Sequence, residues 1–122
     1  MAPNGPVLVV DDEFLIADLL STMLQDIGLE VCGTAATAAE AVSMAVAHQP
    51  SLVLMDVRLK GQPDGIEAAR RIRQRVGSTV IFITGSAEPA TLARIEREHP
   101  ATVLYKPVRF GHLKSAVLKA MA

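Results

Sequence analysis

The chain has 122 residues, of which 50% are hydrophobic and 20% charged, and its formal net charge is −1. This size and composition predict one compact domain spanning residues 1–122. Twelve basic residues against thirteen acidic ones give no overall basic field, which argues against a direct nucleic-acid partner, and the single cysteine, Cys32, excludes an internal disulfide.

The apolar segments of the chain are too short to cross a membrane. They are about the length of a strand, whereas a transmembrane helix needs about 20 apolar residues. The start of the chain, Met1 to Pro6, lacks the basic and apolar pattern of a signal peptide. We therefore expect a cytoplasmic protein without membrane contact.

The first third of the chain predicts a strand, a helix and a second strand. The β-branched run at 7–10 is typical of a strand, and apolar residues between Ile16 and Ile27 recur at helical spacing. Gly28 stands where a helix commonly ends in the left-handed conformation. A short run through Val31 and Cys32 then predicts the second strand.

The second helix and the third strand have distinct signatures. Thr37 and Glu40 form a capping box that opens a helix, and Pro50 ends it. The predicted inward residues of this helix are Val42, Ala45 and Val46. The run at 52–55 is apolar without interruption, which indicates a strand buried on both faces of a parallel sheet.

The rest of the chain repeats the alternation of helix and strand. The predicted elements are a helix opened by Asp64 and closed by Gly77, a strand at 80–83, a helix from Pro89 to His99, a strand at 103–105 and a helix from Phe110 to Met121. Five strands alternating with five helices predict an α/β fold with a doubly wound parallel sheet. Ligands of such sheets bind at the carboxyl ends of the strands.

Polar residues stand at the carboxyl ends of four predicted strands. Asp11 and Asp12 follow the first strand, Asp56 the third, Thr84 the fourth and Lys106 the fifth. Three neighbouring carboxylates repel one another unless a cation neutralises them or a pKa rises, and an all-oxygen cluster favours Mg²⁺. Lys106 and Thr84 suit a tetrahedral anion, and Asp56 can act as the nucleophile that carries a phosphoryl group.

Each of these residues also has a purely structural interpretation. Asp11 and Asp12 can stabilise the start of the first helix, Thr84 can be an ordinary strand-end hydroxyl, and Lys106 an ordinary surface lysine. Their joint position favours the functional interpretation. His48 and His99 are assigned to the last turns of their helices, where positive charge is favourable, rather than to a metal site.

Five short motifs together resemble the receiver domain of two-component response regulators. They are Val9–Glu13, Leu54–Val57, Asp64–Gly65, Thr84–Gly85 and Tyr105–Pro107, and the resemblance covers nearly the whole chain. It implies a flavodoxin-like sheet with strand order 2-1-3-4-5. The protein would then be no enzyme beyond catalysing its own phosphorylation and slow dephosphorylation.

The resemblance also implies roles for individual residues. A histidine kinase or histidine phosphotransfer protein would donate phosphate to Asp56, with Mg²⁺ held mainly by Asp12, partly through water by Asp11, and by the backbone carbonyl of Arg58. Thr84 would contact the phosphoryl group and move on activation, and Lys106 would pair with that group. The Lys106–Pro107 peptide bond would be cis.

Two features depart from the family pattern. The loop after Asp56 is one residue longer than in many receivers, and Val103 stands where the family often has an aromatic switch residue. Tyr105 lies on the same side of the strand as Val103 and is expected to be buried, with a substitute switch as the alternative. Arg58 and Ser86 occupy the positions tied in this family to the rate of dephosphorylation.

We expect the phosphorylated chain either to be bound by another protein or to pass its phosphate to another protein in a relay. The fourth helix, fifth strand and fifth helix resemble the family's interaction and dimerisation face, so a downstream partner or a homodimer is expected there. The basic run of Arg70, Arg71, Arg73 and Arg75 is interpreted as a solvated helix face, with a docking patch as the alternative.

Two other function classes share parts of this pattern. A flavodoxin-like cofactor-binding protein has the same sheet, but its first strand leads into a glycine-rich phosphate loop rather than Asp11–Glu13. A phosphohydrolase that forms an aspartyl phosphate uses similar chemistry, but normally has a second acid where this chain has Arg58.

Overall fold

The computed structural model describes residues 5–121. Residues 1–4, which include most of the start examined for a signal peptide, and residue 122 lie outside the described part. The strands are β1 Val7–Val10, β2 Val31–Ala35, β3 Leu52–Asp56, β4 Thr79–Thr84 and β5 Thr102–Tyr105. The helices are α1 Phe14–Ile27, α2 Ala38–His48, α3 Gly65–Arg75, α4 Pro89–Glu96 and α5 Phe110–Ala120.

All five strands are parallel and pair in the order β2-β1-β3-β4-β5. The predicted doubly wound α/β fold with this strand order is therefore confirmed. Its switch point lies between β1 and β3, which are neighbours in the sheet although β2 separates them in the chain. The carboxyl ends of β1 and β3 thus open beside each other, where the sequence placed its carboxylates.

Local signals in the sequence set the helix ends. Gly28 ends α1 with a positive φ of 102°, and the Thr37 hydroxyl accepts a hydrogen bond from the Glu40 backbone N–H at the start of α2. Asp64 caps α3 in the same way through the backbone N–H of Glu67. Pro89 occupies the first turn of α4, where a missing N–H has no cost.

The two faces of the sheet bury separate sets of apolar side chains. One face packs β-strand residues such as Val53 and Phe82 against α2, α3 and α4, and the other packs Leu54 and Ile83 against α1 and α5. Every residue of β3 is buried, as the uninterrupted apolar run predicted. Among residues 5–121, no helix has the length and apolarity that a membrane crossing requires.

Three expectations about individual residues were wrong. Val46 is 44% exposed, because the buried stripe of α2 consists of Ala38, Ala41 and Ala45. His99 lies beyond α4, which ends at Glu96 and continues as a tight turn in which His99 has a positive φ of 51°. Tyr105 is 49% exposed, since β5 is an edge strand and α4 is too short to cover its end.

Gly65 starts α3 directly against the backbone of Asp56, the last residue of β3. A Cβ atom there would lie 1.8 Å from the carbonyl oxygen of Asp56, whereas a Cβ at Gly111 in α5 would meet nothing within 4 Å. We expect Gly65→Ala to lower the free energy of unfolding by about 2–4 kcal/mol, because backbone must move to accept the methyl group. Urea denaturation monitored by circular dichroism measures this.

Gly111→Ala is the matched control for that prediction. It should raise the free energy of unfolding by about 0.5–1 kcal/mol, because alanine favours the helix and the site is open. Equal effects of the two substitutions would contradict the steric explanation.

Candidate functional site

The sheet brings the predicted polar residues together at one edge. The Lys106 ammonium lies 3.0 Å from Asp56 Oδ2 and 3.9 Å from Asp11 Oδ2. One carboxylate oxygen from each of Asp11, Asp12 and Asp56 lies within 4.8 Å of the others. Residues up to 95 positions apart in the chain thus share one small charged site.

Asp56 is the most perturbed of these acids. It ends the fully buried strand β3 and is 2% exposed, and burial raises the pKa of its carboxyl group to about 6. The hydrogen bond from Lys106 lowers that pKa, and the nearby charge of Asp11 raises it again. Asp56 is therefore a poorly solvated carboxylate. A poorly solvated carboxylate oxygen is a better nucleophile than a well-solvated one.

Lys106 is held in the site by the acids around it. Partial burial lowers the pKa of its ammonium group, but the hydrogen bond to Asp56 and the charges of Asp56 and Asp11 outweigh this and raise the pKa above its usual value. Lys106 is therefore a cation at neutral pH. The predicted cis peptide bond between Lys106 and Pro107 is present, and a second one joins Gln62 to Pro63.

The acidic cluster has the properties of a site for a hard divalent cation. Asp11 Oδ1 accepts a hydrogen bond from the Glu13 backbone N–H at 2.9 Å, so part of its role is at the start of α1. Its Oδ2 atom, however, is buried and has no hydrogen-bond partner within the described chain, and burial raises the pKa of Asp11. Three carboxylates facing one ammonium leave excess negative charge, which fits Mg²⁺.

The Thr84 hydroxyl is engaged locally rather than with Asp56. It donates to the backbone carbonyl of Ser86 at 3.1 Å and accepts from the Ser86 backbone N–H at 3.0 Å. Ser86 in turn accepts from the backbone N–H of Glu88 and donates to the Glu88 side chain. The loop between β4 and α4 therefore holds Thr84 in a self-contained hydrogen-bonded turn.

A cleft beside Asp56 contains residues that the sequence did not single out. Its walls join Asp56, Thr84 and Lys106 to Glu13, Arg58, Gly85, Glu88 and Thr91. Arg58, which lines this cleft, is exposed. Glu88 follows Thr84 by four residues, and no sequence motif predicts it, because its place depends on how the loop folds.

The sequence of residues 7–118 matches the response regulator receiver domain family. The transcriptional regulatory protein PdtaR of Mycobacterium tuberculosis (strain CDC 1551 / Oshkosh) is 33% identical over 116 residues, which cover 95% of this chain and 56% of PdtaR. The phyllosphere-induced regulator PhyR of Methylorubrum extorquens is 32% identical over 116 residues, covering 94% of this chain and 43% of PhyR. The chain spans about half the length of these relatives.

A solved structure shows the same fold with comparable sequence identity. It is the signal receiver domain of a modulated diguanylate cyclase from Desulfovibrio desulfuricans G20, with a TM-score of 0.89 and 34% identity. The match covers 95% of this chain and 92% of that one.

The raised pKa of Asp56 predicts a pH-dependent gain of stability in Asp56→Asn. The pKa lies at about 6 in the folded chain and near 3.8 in a free carboxyl group, so the charged carboxylate destabilises the fold above about pH 6 and this penalty fades toward pH 4. In EDTA, we expect Asp56→Asn to raise the free energy of unfolding by about 1–3 kcal/mol near pH 7.5 and by much less near pH 4.

Urea denaturation across this pH range measures the difference, with Asp26→Asn on exposed α1 surface as the control. The control should show no comparable pH-dependent gain. A gain from Asp56→Asn that is the same at all pH values would contradict the assignment of the raised pKa to Asp56.

Proposed function

This chain belongs to the response regulator receiver domains, and on that premise we propose that it accepts a phosphoryl group on Asp56 from a phosphohistidine. The donor would be a histidine kinase or a histidine phosphotransfer protein. The observation that carries the proposal is the buried Asp56 carboxylate, 3.0 Å from Lys106 and beside two further acids. Family membership favours this function over the cofactor-binding and phosphohydrolase alternatives.

The chemistry follows from the charges around Asp56. A carboxylate oxygen of Asp56 attacks phosphorus, the P–N bond to the donor imidazole breaks, and its electron pair remains on the imidazole nitrogen. Lys106 offsets the negative charge of the phosphoryl oxygens and of the acyl phosphate that forms. Thr84 leaves Ser86 and donates its hydroxyl to a phosphoryl oxygen.

Asp12, Asp11 and Asp56, with the backbone carbonyl of Arg58, would hold Mg²⁺ in this proposal. The buried Asp11 Oδ2 atom, which accepts no hydrogen bond from residues 5–121, supports the assignment, because such an oxygen gains most from a cation. Bound Mg²⁺ would supply positive charge for the phosphoryl oxygens. Beyond its own phosphorylation and slow dephosphorylation, the chain would catalyse no reaction.

The phosphorylated chain would act through another protein. We propose the face of α4, β5 and α5 as the surface that changes, and as the contact for a downstream partner or a second copy of the chain. Tyr105 supports this, because an aromatic ring that is half exposed at the end of β5 suits a protein interface. A cytoplasmic location fits the same proposal, since phosphohistidine donors are charged from ATP.

Intact-mass spectrometry after incubation with Mg²⁺ and acetyl phosphate tests the acceptor. We expect wild type to gain the mass of one phosphoryl group and Asp56→Asn to gain none, because the amide lacks the nucleophilic oxygen. Asp26→Asn, which removes an exposed acid from α1, should be phosphorylated like wild type. Equal phosphorylation of Asp56→Asn would refute the proposed acceptor.

Mg²⁺ should stabilise the protein through the acidic cluster. With Mg²⁺ in large excess over its dissociation constant, we expect the free energy of unfolding of wild type to rise by about 1–3 kcal/mol, because the ion binds the folded chain. Asp12→Asn should lose most of this gain, and Asp26→Asn should keep it. Thermal denaturation with and without MgCl₂ measures the effect, and an undiminished gain in Asp12→Asn would count against the metal assignment.

A further inference from the structure

Helix α4 has little apolar packing against the rest of the molecule. It fully buries one residue, Ile95, and Leu92 is partly buried beside it. By comparison, α3 buries five residues, Gly65, Ile66, Ala68, Ala69 and Ile72. Two ion pairs, one on α4 and one in the turn after it, join this weakly packed segment to α3.

The first ion pair joins Arg94 of α4 to Asp64 at the start of α3. Arg94 Nη1 donates to Asp64 Oδ2 at 2.8 Å, and Nη2 donates to Oδ1 at 3.2 Å, so the contact is bidentate. Burial raises the pKa of Asp64, but the hydrogen bonds from Arg94 and from backbone N–H groups outweigh it and lower the pKa. Asp64 is therefore charged at neutral pH and can hold Arg94.

The second ion pair joins Arg73 of α3 to Glu98, in the turn that follows α4. Arg73 Nη2 donates to Glu98 Oε1 at 2.9 Å, and the Glu98 side chain is only 12% exposed. Arg73 Nε is buried without a hydrogen-bond partner in the described chain. Glu98 is thus the main compensation for this guanidinium group, and a partly desolvated pair of this kind is costly to break.

Asp64 also connects α4 to the phosphorylation site. It lies eight residues after Asp56 and caps α3, and the next residue, Gly65, donates its N–H to the Val57 carbonyl at 2.8 Å. This hydrogen bond joins the two ends of the loop between Asp56 and α3, directly beside Asp56. Because Arg94 binds Asp64, a displacement of α4 would also shift the position of this loop.

We propose that the Arg94–Asp64 and Arg73–Glu98 ion pairs form a clamp that restrains α4 and opposes phosphorylation of Asp56. The clamp is formed in the conformer in which the Thr84 hydroxyl is hydrogen-bonded to the backbone of Ser86. Because α4 begins five residues after Thr84, movement of Thr84 toward a phosphoryl group displaces the start of α4. The claim that the clamp opposes phosphorylation rests on the proposed function, whereas the restraint on α4 does not.

The size of the effect follows from the exposure of the pairs. Arg94 and Asp64 side chains are 49% and 23% exposed, so solvent screens their attraction. Losing such a pair should change the equilibrium between clamped and released conformers by about two- to fivefold. In this proposal only the released conformer reacts, so the phosphorylation rate scales with the population of that conformer and should change by the same factor.

Hydrogen exchange of a peptide covering residues 89–98 tests the restraint without phosphorylation. We expect α4 amides to exchange about two- to fivefold faster in Arg94→Gln than in wild type, and faster still in Glu98→Gln, because that change removes the charge that compensates Arg73. Arg97→Gln is the matched control, because Arg97 is exposed at the end of the same helix and makes no ion pair within residues 5–121. Salt at about 0.5 M should accelerate exchange in wild type more than in Arg94→Gln.

Two further variants separate the ion pair from helix capping and folding. Asp64→Asn keeps an oxygen that caps α3 but removes the charge, and its effect should not add to that of Arg94→Gln in the double variant. Arg94→Lys keeps the charge but not the bidentate geometry, so it should restore part of the protection. Exchange in Arg94→Gln that equals exchange in Arg97→Gln would overturn the clamp.

The phosphorylation arm uses acetyl phosphate and Mg²⁺ with the same variants. Arg94→Gln should be phosphorylated about two- to fivefold faster than wild type, and Arg97→Gln at the rate of wild type. Faster exchange with an unchanged phosphorylation rate would overturn the coupling to Asp56. Failure of wild type itself to be phosphorylated would refute the proposed function, while the exchange data would still decide whether the clamp restrains α4.

Discussion

The structure depends on holding three carboxylates beside a single ammonium group. Asp56 is buried at the centre of this arrangement, and its pKa of about 6 records how poorly the site solvates its charge. Lys106 donates a hydrogen bond to Asp56 and lies 3.9 Å from Asp11 Oδ2, which has no hydrogen-bond partner among residues 5–121. The site is therefore electrostatically unbalanced, so that a cation or a phosphoryl group changes its energy far more than it would change the energy of a neutral site.

Such an arrangement requires a scaffold that the repulsion among the three carboxylates cannot deform. β3 supplies it, because all five of its residues are buried and both faces are packed, so a shift of register would expose apolar side chains or bury polar ones. The strand order places β1 next to β3, which brings Asp11 and Asp12 beside Asp56. β5 lies two strands away, and the long side chain of Lys106 spans that distance.

The sequence predicted those features that depend on local pattern or on strand ends. Gly28, Thr37 and Asp64 act as the helix-terminating or capping residues that their positions indicated. The meeting of Asp56 and Lys106 followed from the rule that parallel strands end at one edge. The roles of these residues in catalysis and metal binding stay predictions, because geometry alone does not test them.

What the sequence could not predict depends on how helices sit relative to one another. Tyr105 is exposed because α4 ends early beside an edge strand, and neither fact is visible in the alternation around residue 105. The Arg94–Asp64 pair joins residues 30 positions apart, and no local spacing signals it. Val46 looked inward because it is apolar, but the smaller alanines of α2 face the sheet.

The distribution of packing across the molecule indicates which elements can respond to a change of charge at Asp56. The β1, β3 and β4 side chains belong to two well-packed cores, one on each face of the sheet, in which movement would open cavities, and such movement is costly. β5 is only partly buried, and α4 is held by Ile95 and by exposed or partly exposed ion pairs. A change of charge at Asp56 must therefore be relaxed through the loops that lead to α4 and β5, since the energy needed to move these elements is smaller than the energy needed to deform the core.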